Sequence, residues 1–206
     1  FGLPRNALRA DGLRCQPPVR RGDVATLVAA TSEPGVIVVC DGVFHAVPAV
    51  SHAELCAALD RGWEVWGVAS LGAIRACELR QEGMKGYGWV YRCFESDPGF
   101  CDDEACLLHF PEAPYFPISE PLVNLRYALE QRCADLALPP DVQAELLQRL
   151  RALYFGERTL ARMHTIMVDE LGLSRAVVED LLGWLARHRI KTLDLAALLE
   201  SRPWLR

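Results

Sequence analysis

Lysine is almost missing from this 206-residue chain. Lys85 and Lys191 are the only two among 22 Lys and Arg residues. Arginine stays protonated and makes a poor base, so the other cationic positions can hold anions but cannot readily take a proton. Eight cysteines are present, but none forms a C-x-x-C pair. Cys40, Cys56 and Cys77 fall inside apolar stretches, where free thiols behave as small hydrophobes; reduced cysteines and a cytoplasmic setting are expected. Cys101, Cys106 and His109 cluster in sequence but lack a fourth ligand at zinc spacing, so no metal is expected. No apolar run approaches membrane-spanning length and no signal-peptide pattern stands at the start, so no membrane partner is expected. Repeats, low-complexity segments and long charge runs are also missing. The net charge of −5 argues against nucleic acid as the main partner. The chain opens on Phe1 rather than Met, which suggests upstream trimming and a lost first strand.

Hydrophobic residues make up 51% of the chain, enough for a packed core in one large or two small domains. The chain is organised around Gly62 to Leu79. Glu64 to Ala69 reads as a short strand, rich in β-branched and aromatic residues. Ser70-Leu71-Gly72-Ala73 then turns into a helix whose apolar face is Ala73, Ile74, Ala76, Cys77 and Leu79. Ser70 falls at the junction, where helix-start N–H groups lack intrahelical partners. The stretch is similar to a nucleophile elbow, although V-A-S-L-G does not match G-x-S-x-G. Ser70 is either a helix N-cap or a nucleophile.

Upstream, Gln16 to Asp23 is a proline-stiffened basic turn. Its Arg20 and Arg21 either bind an anion or form a solvated surface, and Asp23 suits a helix start over Val24 to Ala30. Val36 to Cys40 reads as a strand apolar on both faces, as a central parallel strand should be. It ends at Asp41, with His45 close behind. A helix over His52 to Asp60 leads to the Glu64 strand, giving a right-handed βαβ unit. Tyr87 to Cys93 is expected to be a third strand, followed by Asp102, Asp103, Glu104 and His109. Ser119 suits an N-cap for a helix running to about Ala137, carrying Asn124 and Arg126 with Glu120 in its first turn. From Pro139 onward the pattern is helical throughout.

These readings predict an α/β fold: a small, mostly parallel sheet flanked by helices, with an all-helical C-terminal region. The expected domains are 1–138 and 139–206. If all three strands are parallel, Asp41, His45, His52, Ser70 and the Asp102–His109 group share one sheet edge, a polar crevice flanked by helix starts. Lys85 precedes the third strand and falls at the opposite edge.

Several blocks carry a resemblance. D-G-V-F-x-x-V-P-A-V-S-H-x-E-L (41–55), V-A-S-L-G-A-I-R-A-C-E-L (68–79), G-M-K-G-Y-G (83–88), D-D-E-A (102–105) and S-E-P-L-V-N-x-R (119–126) are similar to the TfuA family core, as is P-P-V-R-R-G-D (17–23). The similarity spans roughly residues 16–130. It implies a partner of YcaO enzymes, which activate a peptide amide with ATP for thioamidation. It implies hydrolysis of the C-terminal thiocarboxylate of a ThiS-like sulfur carrier, releasing sulfide, and docking on YcaO with its precursor peptide. A Ser–Lys pair is attributed to the family; Ser70 matches its serine, and no lysine is matched here. The resemblance implies no cofactor.

Three function classes follow. In the first, Ser70 is the nucleophile and Asp41 or His52 the base. Arg20, Arg21 and Arg75 then hold an anionic tail, with Asp23, Asp103, Glu104, His109, Glu120, Asn124 and Arg126 completing the substrate site. In the second the protein is a non-catalytic adaptor joining YcaO, peptide and carrier. In the third, Asp102, Asp103, Glu104 and His109 form a metal-dependent hydrolase.

Overall fold

A computed structural model of the chain describes residues 12–42 and 47–205. The described residues fall into two compact units. The first comprises residues 12–42, 47–100 and 191–205, and the second comprises 101–190. The boundary expected at 138/139 falls inside the second unit.

The first unit is an α/β layer. Its described elements begin with α1 (Asp23–Ala30), β1 (Val36–Val39), α2 (His52–Asp60) and β2 (Glu64–Val68). They continue with α3 (Leu71–Glu78), β3 (Lys85–Tyr87) and α4 (Gly88–Ser96). The strands form an open parallel sheet in the order β1-β2-β3. Val36 pairs with Glu64 and Val39 with Gly67, while Trp66 pairs with Lys85 and Val68 with Tyr87. All strand ends therefore point one way, as βαβ links require. One buried cluster joins Ile37, Val39, Val65, Leu55, Ala58, Leu71 and Ala76. A second joins Trp66, Val68 and Ala69 to Leu195 and Leu198.

The third strand departs from the sequence reading. Tyr87–Cys93 is not a strand; β3 is only Lys85–Tyr87, and Gly88–Ser96 is helical. Gly88 turns the chain at φ +97°, a conformation that favours glycine. Asp194 then accepts the N–H groups of Trp89 and Val90 at 2.8 and 2.9 Å. A partner more than a hundred residues away thus supplies the cap, and tertiary context overrides the strand-like pattern of Trp89 to Cys93.

The second unit is helical: α5 (Leu122–Arg132), α6 (Pro140–Arg151), α7 (Leu160–Thr165, continued by a π turn over Ile166–Glu170) and α8 (Arg175–Arg187). Leu125, Leu129, Leu146, Leu150, Met163, Met167, Leu181 and Leu185 fill its core. Ser119 does not cap α5; the cap position is Pro121, and the Ser119 hydroxyl accepts the Leu108 N–H at 2.8 Å. The final helix, α9 (Ile190–Ser201), belongs with the sheet unit through Leu195 and Leu198. No helix among the described residues is long and apolar enough to cross a membrane.

Candidate functional site

The sheet's C-terminal edge is shaped by a tight strand-to-helix turn. The Ser70 N–H donates to Val68 O at 2.8 Å across Ala69, which has φ +71°. This is a γ-turn of the rare, strained hand. A strained alanine between a strand and a helix stores backbone energy where sites commonly do. Two glycines let α3 sit that close. A Cβ at Gly72 would lie 1.8 Å from Val39 O, and one at Gly67 would lie 1.9 Å from Gly72 O. Gly67 and Gly72 do the work that flanking glycines do in an elbow, one of them displaced by a position, so the motif comparison missed it.

Ser70 is 1% exposed and holds the N-cap position of α3, but its side chain makes no capping hydrogen bond. Of the helix-start donors, the Ser70 N–H is spent on Val68 O and the Gly72 N–H on Cys40 O, the latter at 3.3 Å. The expectation of unpaired donors beside Ser70 therefore fails for these two groups, because the close approach of α3 to β1 and β2 brings strand carbonyls within reach.

Asp41 follows β1. Its Oδ1 accepts the Gly42 N–H at 2.9 Å, and its Oδ2 lies 3.9 Å from Lys191 Nζ. Lys191 is 3% exposed and opens α9, the helix that lays Leu195 against Val68 and Ala69. The fold thus brings a buried lysine to the strand ends from the far end of the chain. Sequence spacing carries no trace of this; the scarcity of lysine was the available signal. Burial and the adjacent Asp41 push the Cys40 thiol up to about 12.

Arg20 and Arg21 lie on the loop that joins this edge. Val19 bridges to Gly42 and donates to Asp41 O at 3.0 Å, while the Arg21 N–H donates to Pro48 O at 3.0 Å. Both arginines are exposed. Asp23 is the first residue of α1 and accepts the Arg20 N–H at 2.8 Å. The same loop is tied to α2, because the Gly22 N–H donates to Glu54 at 2.9 Å. His52 opens α2, and its Nε2 contacts Glu78 at 2.8 Å. Arg75 also pairs with Glu78 and donates to Val50 O at 3.2 Å. His52 and Arg75 therefore form one cluster around Glu78, which ties α2 to α3. His45 lies outside the described residues. Lys85 sits at the opposite end of the strands, with Nζ 2.6 Å from Glu64 and 5.2 Å from the Trp66 ring centre.

The remaining candidates belong to the second unit, where arginines meet them. Glu104, 1% exposed, receives Arg126 in a two-pronged pair at 2.8 and 2.8 Å. Asp103 pairs with Arg158, which is fully buried and also donates to Leu150 O at 2.9 Å. Glu120 pairs with Arg189 and accepts from Asn124 at 3.0 Å. His109 Nδ1 contacts Phe110 O at 2.6 Å. Among the described residues no group of three or more His, Cys, Asp or Glu is placed to hold a metal ion. Arg158 and Arg189 were not singled out in the sequence, because an arginine carries no motif until its carboxylate is found. Arg126 also borders a cavity of about 540 Å³ with Arg151, Leu147 and Gln148; Ser70 is not among its lining residues.

A parallel sheet with a tight strand–helix turn at its C-terminal edge, which carries a serine, a carboxylate and a buried lysine, defines an α/β protein whose strand ends are the candidate site. The TfuA-like protein family model matches residues 41–159, more than half of the chain, and the chain belongs to that family. No curated protein matches it. The match runs past residue 139 into the helical region, further than the similarity read from the blocks, and starts later, at Asp41. It covers Asp41, His52 and Ser70 but not Arg20, Arg21 or Lys191.

Proposed function

We propose that this protein is an accessory factor of YcaO-dependent peptide thioamidation that releases sulfide from a thiocarboxylated ThiS-like carrier. The observation that carries the reading is Ser70. It directly follows the strained turn at Ala69, at the C-terminal end of β2 and the start of α3. Family membership supports the thioamidation setting.

The chemistry is an acyl transfer. The Ser70 oxygen attacks the thiocarboxylate carbon, the C–S bond breaks, and the serine proton leaves on sulfur as hydrosulfide. Water then cleaves the acyl-serine, freeing the carrier's carboxylate and restoring the hydroxyl. Lys191, held near Asp41, is the amine best placed on this edge to relay the proton. It replaces His52 in that role, because His52 is engaged with Glu78. Arg20 and Arg21 suit an anionic tail, since guanidinium groups match carboxylates. Ser70 is covered, so the tail must displace neighbouring chain to reach it.

A second reading is the adaptor, in which the protein only joins YcaO, peptide and carrier. The engagement of the Ser70 and Gly72 N–H groups favours it, because no prepared oxyanion site is left at those two positions. One assay separates the two. Purified protein is mixed with thiocarboxylated carrier, sulfide is measured, and YcaO binding is measured alongside. Sulfide release that vanishes in a folded Ser70→Ala variant supports the enzyme. Release that survives in Ser70→Ala sinks the serine mechanism, and tight YcaO binding with no release even by the unmutated protein gives the adaptor reading.

A further inference from the structure

The amine at the strand ends stands on α9, outside the residues matched to the family, so something in this chain must fix that helix in place. One buried carboxylate meets the requirement. Asp194 lies one turn beyond Lys191 on α9 and is 6% exposed. Its two oxygens each take a backbone N–H at the start of α4, from Trp89 at 2.8 Å and from Val90 at 2.9 Å. Gly88 makes room for it: a Cβ there would fall 2.3 Å from the Asp194 carboxyl carbon. Leu195 and Leu198 fasten the same helix to Trp66, Val68 and Ala69. Apolar contacts of this kind permit sliding and rotation, because they are non-directional. A carboxylate held by two N–H groups permits neither.

We propose that Asp194 is a positioning residue: by gripping the start of α4 it fixes the rotation and register of α9 and so holds Lys191 beside Asp41. The proposal rests on the reading of Lys191 as the site's working amine. Its geometric half stands on the grip alone.

The scarcity of lysine supplies the experiment. Full-length protein is labelled with an amine reagent under native conditions, and modification of Lys85 and Lys191 is followed separately by peptide mass spectrometry. In the unmutated protein exposed Lys85 reacts fast and Lys191 slowly. In Asp194→Asn, Lys191 labelling should rise at least tenfold while Lys85 is unchanged and thermal unfolding stays cooperative. Gly88→Ala, which pushes on the carboxylate from the α4 side, should do the same. Leu198→Ala weakens α9 without touching the grip and serves as the stability control. If Lys191 labelling in Asp194→Asn and Gly88→Ala rises no more than in Leu198→Ala, Asp194 contributes stability only and the proposal is overturned. Should Asp194→Asn fail to fold, the comparison of Gly88→Ala with Leu198→Ala decides in the same way. Sulfide release adds a separate reading: kcat should drop in Asp194→Asn with KM within about twofold. Faster Lys191 labelling with no sulfide release by the unmutated protein would leave the grip intact and remove the enzymatic reading instead.

Discussion

The two units use polar residues in opposite ways. In the second unit the buried carboxylates have arginine partners: Glu104 has Arg126 and Glu120 has Arg189, and the buried Arg158 has Asp103. A buried charge costs several kcal/mol unless it is paired, and these pairs close that debt within the unit. At the sheet edge of the first unit no arginine–carboxylate pair is formed by Asp41: its Oδ1 takes the Gly42 N–H, and its Oδ2 faces Lys191 at 3.9 Å, beyond hydrogen-bond distance. The motif residues of D-D-E-A and S-E-P-L-V-N-x-R thus brace a helical unit, while V-A-S-L-G shapes a strained edge. A block of charged residues marks a place where polar groups matter without saying whether they hold the fold or perform chemistry. The partner decides.

The largest effect is expected at the edge. Ser70→Ala should lower sulfide release by at least about 10³-fold, as loss of a nucleophile does. The variant should stay folded, with cooperative thermal unfolding, because the change removes a single oxygen from the side chain. A large fall in melting temperature with unchanged release would instead put Ser70 with the bracing residues. Arg126→Ala should show the reverse pattern. Leaving Glu104 without its two-pronged partner should cost about 3 kcal/mol or more in chemical denaturation. If the protein loses less than about 1 kcal/mol, the bracing account of the second unit is wrong.

Gly72→Ala tests the edge through its backbone. The added methyl meets Val39 O, so helix and strand must separate, at a cost of about 1–3 kcal/mol. Urea unfolding measures it, and a neutral result would mean that α3 does not need its close seat. Cysteine labelling reads the contrast without mutation. The Cys40 thiol, pushed up to about 12, should resist iodoacetamide at pH 8, while exposed Cys101 should react. Equal labelling would show that the strand end is open. The smallest effect is expected at Glu64. The hydrogen bond from Lys85 holds its carboxyl below the usual range. The stability gained is therefore present above the ordinary glutamate pKa and lost as pH falls through the lowered folded value. The pair is partly exposed, so Lys85→Met should cost at most about 1 kcal/mol at pH 7 and nothing at low pH. A cost that persists at low pH would assign the effect to packing on Trp66.

Much of the sheet was legible because its signals are local. Val36–Val39 and Glu64–Val68 are short apolar runs with helices between them, and β1 and β2 formed as those runs predict. Ser51 and Glu54 form a capping box that starts α2 at the expected residue. Tyr87–Cys93 misled because its aromatic and β-branched residues suit a strand, and only the distant Asp194 reveals the helix. Lys191 could not be placed beside Asp41 from the sequence, since 150 residues separate the two and no motif links them. Long-range partners, which set both α4 and the strand-end lysine, leave no period or spacing behind.

The first unit is interrupted in sequence by the second. Trp66 and Val68 leave the ribosome long before Leu195 and Leu198, which cover them. At a synthesis rate of about 5–20 residues per second, the delay is on the order of ten seconds. Throughout that interval the sheet presents an uncovered apolar face, and Lys191 has not yet been made. A nascent chain, or one cut short anywhere before residue 191, therefore carries Ser70 without the amine. Synthesis of α9 completes both the core around Trp66 and Val68 and the strand-end lysine, so the edge is assembled only after the whole of the second unit has been made.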